Sequence, residues 1–186
     1  MDYIKDEEFI RGNCPMTKEE VRILSVAKLK LKEEGFALDI GAGTGTVTIE
    51  MSRRCMKGVV IGIEKDLEAL EVLYKNKEKF KADNLTIIEG EALEVLNKIN
   101  QCFDSIFIGG SGGNLEEIIR KYSLKLKAKG TIVLNFITID NLYIAMRVLK
   151  EIGFKVSCTQ VSISKTKGEH FMLFASNPIF IVTAEK

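Results

Sequence analysis

The 186-residue chain has no tryptophan and only one histidine, His170. A single imidazole excludes a histidine-rich metal centre. The four cysteines, Cys14, Cys55, Cys102 and Cys158, lie far apart with no C-x-x-C pair among them. No metal site or disulfide framework is expected, only four reduced and mostly buried thiols. Charge of one sign is also lacking, since 27 Lys and Arg face 26 Asp and Glu. No global positive field therefore recruits nucleic acid, and only a local patch is left to consider. No apolar run approaches membrane-spanning length, and Met1 to Glu8 has neither the basic flank nor the apolar centre of a signal peptide. The expectation is a cytoplasmic protein with no membrane partner. With two prolines, no Ser/Gly linker and no repeat, residues 1–186 should form one domain, large enough to bury a core without staples.

What is present centres on Phe36 to Thr46, F-A-L-D-I-G-A-G-T-G-T. A short apolar run carrying one acid, Asp39, feeds glycines at 41, 43 and 45, and Thr46 to Cys55 then has helical character. This is a buried strand, a tight loop and a helix N-terminus, a setting in which backbone N–H groups face a nucleoside-bearing ligand. The dinucleotide fingerprint G-x-G-x-x-G/A is not met, because the third glycine falls one place early at Gly45. The pattern D-x-G-x-G-x-G instead resembles motif I of Rossmann-like S-adenosylmethionine (AdoMet) methyltransferases. Glu64, ending the next apolar run Val59 to Ile63, lies about 20 residues past the loop, where a carboxylate takes ribose hydroxyls.

Along the chain, residues 1–16 lack periodicity and form an N-terminal arm. Thr17 to Glu20 has the spacing of a capping box, with Thr17 as N-cap, ahead of a helical stripe at Val21, Leu24, Ala27 and Leu31 that Gly35 would stop. Strands over 58–64, 85–90, 103–108 and 130–137 alternate with helices over 66–80 (Asp66 as cap), 92–99, 114–126 and 140–152, which argues a parallel sheet covered on both faces. Lys155 to Ser164 and Phe171 to Ala184 read as two strands joined by the polar turn Lys165 to Glu169, and so as an antiparallel hairpin. The class is α/β, a mostly parallel seven-stranded sheet closed by that hairpin.

Ligands of such sheets sit beyond the carboxyl ends of the strands. The glycine loop, Glu64 and the turn Gly90-Glu91-Ala92 should meet there, with Glu91 and Ala92 bordering an adenine unless the turn is an ordinary strand-to-helix link. Gly109, Gly110, Ser111, Gly112 and Gly113 follow the fourth strand. They would let a large, flat or acidic ligand approach the backbone, or else form only a flexible loop. Cations that can meet an acidic ligand are Arg11, Lys18, Arg22, Lys165 and Lys167, each of which is equally a solvated surface charge. His170 can act as a proton donor or pack at a strand end beside Phe171, Met172 and Leu173.

Four segments taken together resemble one family. They are Arg11-Gly12 with Met16 through Arg22, Asp39 through Thr46 on to Glu50, Phe107-Ile108-Gly109-Gly110-Ser111-Gly112-Gly113, and Asn177-Pro178-Ile179. They are similar to the decarboxylating precorrin methyltransferases of CbiT type, which act in cobalamin biosynthesis, and the likeness covers nearly the whole chain. The resemblance implies a Rossmann-like class I AdoMet methyltransferase that methylates carbon 15 of (cobalt-)precorrin-6B and removes carbon dioxide from the ring C acetate arm. It places AdoMet on Thr17, Gly41, Ala42, Gly43, Thr44, Gly45, Glu64 and Ala92, and a corrinoid precursor against Gly109 to Gly113. It also implies a homotetramer. Since no residues are left over for the companion methylation at carbon 5, a separate enzyme is expected to supply it. No catalytic side chain is identified.

Three rivals stay open. One is an AdoMet methyltransferase acting on RNA or another small molecule. Asn177-Pro178-Ile179-Phe180 superficially resembles an N-P-P-Y motif, but it lacks the second proline and falls at the last strand, so it reads as a strand start. Another is a non-catalytic, methyltransferase-like binding subunit, against which the uninterrupted cofactor motif argues. A nicotinamide-dependent enzyme is a third.

Overall fold

The structure is a computed structural model that describes residues 2–110 and 112–186. Short, mostly apolar and β-branched runs form the inner strands of a central sheet, which comprises β1 (Phe36–Ile40), β2 (Val59–Glu64), β3 (Leu85–Glu89), β4 (Phe103–Ile108), β5 (Leu126–Phe136), β6 (Lys155–Val161) and, at the end of the chain, β9 (Ile179–Glu185). The sheet order is β3-β2-β1-β4-β5-β9-β6, parallel except for β9, which runs antiparallel to both β5 and β6. This is the expected class I methyltransferase architecture.

Successive strand residues point to opposite faces, so each strand feeds two cores. Leu38, Ile40, Ile106 and Ile132 pack with α4 (Ala92–Val95), α5 (Leu115–Ser123) and α6 (Ile139–Glu151). Ala37, Val60, Phe107 and Val133 pack on the other side with α1 (Glu19–Lys28), α2 (Thr46–Arg54) and α3 (Leu67–Lys79). Both faces of the inner strands β1, β2 and β4 are covered, as parallel strands require. Asp66 caps α3 as expected, accepting from Ala69 N at 2.8 Å.

Several local expectations are corrected. Thr17 is not an N-cap; Lys18 holds that position without a side-chain cap, while the Thr17 carbonyl accepts from Arg22 Nη1 and Glu20 pairs with Lys165. Helix α1 ends at Lys28, seven residues short of Gly35, because Leu29 turns into the core and Lys30 takes φ 53°. β5 begins at Leu126, with a register shift opposite Phe103 and Ser105. The C-terminal region has four strands, not two. Between β6 and β9, β7 (Ser164–Lys167) and β8 (Met172–Ala175) form a separate two-stranded ribbon, and Asn177-Pro178 leads into β9. The cysteines are free but not mostly buried: Cys55 is buried, Cys14 half-buried, and Cys102 and Cys158 exposed.

The arm is docked at Ile4, Asp6 and Phe9. Ile4 and Phe9 are buried, Asp6 to Glu8 form one 3-10 turn, and the Ile4 N–H donates to Glu50 at 2.7 Å. Arg22, an expected rim cation, is instead wholly buried beneath the arm. It donates to Asp6 and Thr17 O at 2.9 Å and to Ile4 O at 2.5 Å, and its guanidinium lies 4.8 Å from the Phe9 ring centroid. A guanidinium with this many acceptors and an aromatic face can be buried where an ammonium could not.

Candidate active site

Strand β1 ends at the glycine loop because its neighbours leave no room for side chains. At Gly41 φ is 74°, and a Cβ there would stand 2.8 Å from Gly110 N, so the turns after β1 and β4 touch backbone to backbone. Gly45 starts α2 at φ 86°, with Leu73 pressed against its Cα. Most of the loop's amides are engaged within the protein. Those of Gly41 and Ala42 donate to the Ile63 carbonyl (3.0 and 2.9 Å), that of Gly45 to Ala42 O, and that of Gly43 to Glu64 Oε2 at 2.7 Å.

Glu64, at the end of β2, also accepts from Lys65 N and Asp66 N through Oε1, at 2.7 and 2.8 Å. Its carboxylate therefore sits at the turn into α3 and fastens the glycine loop from the side. Glu91 caps α4, accepting from Leu93 N and Glu94 N, and the Ala92 carbonyl accepts from the buried Tyr122 hydroxyl at 2.6 Å. Registers Ile40↔Ile63 and Glu64↔Glu89 put the turns after β1, β2 and β3 side by side on one sheet edge, as expected.

On the other side of the loop a cavity of about 1000 Å³ opens. Asp39, Gly41 to Thr44, Gly109 and Gly110 form its floor; Arg11, Met16, Thr17 and Lys18 form one wall; Ile163, Lys165, Lys167 and Phe174 form another. Of the glycines after β4, Gly109 and Gly110 reach this floor. Gly112 lies against Lys65, Gly113 faces open space, and Ser111 lies outside the described residues. Arg11, Lys18, Lys165 and Lys167 all line this cavity. His170 is exposed in the β7–β8 turn, away from the cavity lining.

One lining group was not among the expected site residues. Asp39 is fully buried; its Oδ2 accepts from Thr48 Oγ1, while Oδ1 has no partner. Burial pushes its carboxyl up to about 7 against the pull of the Thr48 hydroxyl, and the neighbouring Glu64 charge adds to the rise. The Thr44 hydroxyl, on a residue that lines the same cavity, is likewise buried and unpartnered. Two orphaned oxygens on the floor of a cavity fit a ligand with a cationic, hydrogen-bonding end, such as the amino acid portion of AdoMet. The acid within D-x-G-x-G-x-G was the available signal, although spacing alone could not say that one oxygen would be left free.

Comparison with known proteins agrees with this geometry. The precorrin methyltransferase domain family matches residues 8–186. A probable cobalt-precorrin-6B C(15)-methyltransferase (decarboxylating) from Sulfolobus acidocaldarius is 46% identical, over 98% of this chain and 97% of its own. The Salmonella typhimurium cobalt-precorrin-6B C(15)-methyltransferase (decarboxylating) is 37% identical, over 98% and 96%. The crystal structure of a precorrin-6y C5,15-methyltransferase from Geobacter metallireducens superposes with a TM-score of 0.95 at 40% identity, covering 99% of this chain and 97% of that one. With a motif I loop at the carboxyl edge of a class I sheet and near full-length similarity to these enzymes, the chain belongs to the precorrin methyltransferase family.

Proposed function

We propose that this chain methylates carbon 15 of (cobalt-)precorrin-6B with AdoMet and removes carbon dioxide from the ring C acetate arm, a step of cobalamin biosynthesis. The observation that carries the reading is the continuity of the cavity, which runs from the glycine loop past β4 and β5 to the ribbon. It is large enough for an acceptor beside a methyl donor. Its rim cations, Arg11, Lys18, Lys165 and Lys167, suit a polycarboxylate.

When bound, AdoMet supplies an electrophilic methyl group on a sulfonium. Gly41, Ala42, Gly43, Thr44 and Gly45 take its amino acid end, with the free Asp39 oxygen and the Thr44 hydroxyl as further partners. Glu64 takes the ribose hydroxyls by sharing or releasing the Gly43 N–H, Glu91 and Ala92 border the adenine, and Thr17 covers the open side. Gly109 and Gly110 let the flat macrocycle come close to the floor, while Ser111, Gly112 and Gly113 are assigned to it by the resemblance. An electron-rich carbon of a reduced tetrapyrrole needs placement more than an activated nucleophile, so orientation by the two walls is the chain's main contribution. Once carbon 15 is methylated, the conjugated framework can accept the electron pair left by the departing carboxylate. No side chain is assigned as acid or base.

In this reading residues 1–186 act as one methyltransferase domain in the cytoplasm, and a separate enzyme methylates carbon 5. The apolar ribbon tip supports the homotetramer that the resemblance implies, since Phe171, Met172 and Leu173 are 75%, 61% and 73% exposed. The test is mass spectrometry of cobalt-precorrin-6B incubated with the protein and methyl-labelled AdoMet. One labelled methyl gained with loss of carbon dioxide is expected. Two methyl groups added would overturn the separate carbon 5 enzyme, and no reaction despite AdoMet binding would overturn the acceptor.

A further inference from the structure

The cavity floor and its arm wall belong to different parts of the chain, yet one side chain holds both. Asn76, on α3, is wholly buried. Its Nδ2 donates to the Thr44 carbonyl of the glycine loop at 2.8 Å and to the Ile10 carbonyl of the arm at 3.1 Å. Its Oδ1 accepts from the Ile10 N–H at 2.9 Å. Both amide hydrogens and the oxygen are used, so the planar amide cannot turn toward one partner without losing the other.

The surroundings leave little slack. On the loop side, Leu73 of α3 presses on Gly45, where a Cβ would lie 2.3 Å from Cδ1. On the arm side, a Cβ on Gly12 would lie 2.9 Å from Val72 Cγ2, and the Phe9 ring packs 5.0 Å from that of Phe80. Helix α3 thus grips both the loop that carries Thr44 and the arm residues flanking Arg11. Thr44 and Arg11 both line the cavity, from its floor and from its wall.

We propose that Asn76 is a positioning residue that couples the cofactor loop to the N-terminal arm, so that ligand binding at the loop and order in the arm are energetically linked. The inference rests on the AdoMet reading of the loop but not on the identity of the methyl acceptor. A ligand that holds the loop holds the Thr44 carbonyl, which keeps Asn76 oriented for Ile10. A displaced arm frees the amide and loosens the loop.

S-adenosylhomocysteine, the demethylated form of the cofactor, serves as the probe, read by calorimetric titration and by hydrogen exchange of the full chain. In the wild type it should slow exchange in residues 4–12 as well as in 41–46. Asn76→Leu keeps the branched shape, though it is bulkier, and removes all three hydrogen bonds. It should weaken probe binding about tenfold and leave the arm unprotected when the loop is occupied. Gly12→Val pushes the arm off Val72 without touching the loop or Asn76. It too should weaken the probe several-fold, and it carries the test if Asn76→Leu does not fold. Binding and arm protection unchanged in Gly12→Val, or in a folded Asn76→Leu, would overturn the coupling alone. A wild type that does not bind the probe would overturn the cofactor reading, and the coupling with it.

Discussion

Along the arm, Ile4, Asp6, Ile10 and Thr17 are tied down by buried polar side chains, Glu50, Arg22 and Asn76. The β7–β8 ribbon faces the same cavity with an exposed ion pair, Lys165–Glu20, and with Lys167 stacked on the ring of its own neighbour, Phe174. Buried multidentate contacts define one geometry, because breaking any of them strands a polar group away from water. Exposed pairs are weak and readily exchange partners. One wall is therefore held in a single geometry, and the other is joined to α1 by an ion pair that can exchange partners.

The sharpest way to break the contrast is Arg22→Met, which leaves Asp6 and two carbonyls without their donor. It should cost about 3–5 kcal/mol, read as a lowered urea midpoint. A loss below about 1 kcal/mol would place the arm in the same class as the ribbon. The floor between the walls gives the next effect. The Asp39 carboxyl titrates near 7 when folded, against an ordinary value of 3.8. Between those values the folded chain keeps a proton that the unfolded chain has lost, so this group makes stability fall as pH rises from about 4 to 7. Asp39→Asn should accordingly stabilise the ligand-free protein by roughly 2–4 kcal/mol above pH 7 and by almost nothing below pH 4, as urea titrations at both ends would show.

On the ribbon, Lys165→Ala should cost no more than about 1 kcal/mol in stability. Its effect should appear as a several-fold higher KM for the acceptor with kcat little changed. A fall in kcat with KM unchanged would mean that Lys165 acts in the transition state. Leu173→Ser should change subunit stability least, within about 0.5 kcal/mol. Light scattering should nevertheless show a smaller assembly, and an unchanged mass would remove the ribbon tip from the subunit contacts.

The glycine loop and the two strands that flank it were far more legible in the sequence than the cavity walls. Phe36 to Gly45 and Val59 to Glu64 announce themselves by local rules: short apolar runs, glycines where backbones must nearly touch, and a carboxylate at a strand end. The capping box at Thr17 failed because Arg22, five residues on, draws the Thr17 carbonyl inward and Lys165 takes Glu20. The long final strands failed because period and turn signals cannot distinguish one hairpin from a hairpin with a second ribbon folded out of it. Arg22 looked like a rim cation because its burial depends on Ile4, Asp6 and Phe9, whose positions no local pattern specifies.

The amino-acid sequence by itself determined the alternating α/β order, the glycine loop with its acids and the family likeness, since these rest on periodicity and on short-range steric limits. Only the tertiary structure decided that Asp39 keeps a free oxygen, that Glu64 and Asn76 grip the glycine loop from two sides, and that arm and ribbon enclose one cavity. Those facts depend on contacts between residues as far apart as Ile10 and Asn76, where burial and the need to satisfy every polar atom select the partner.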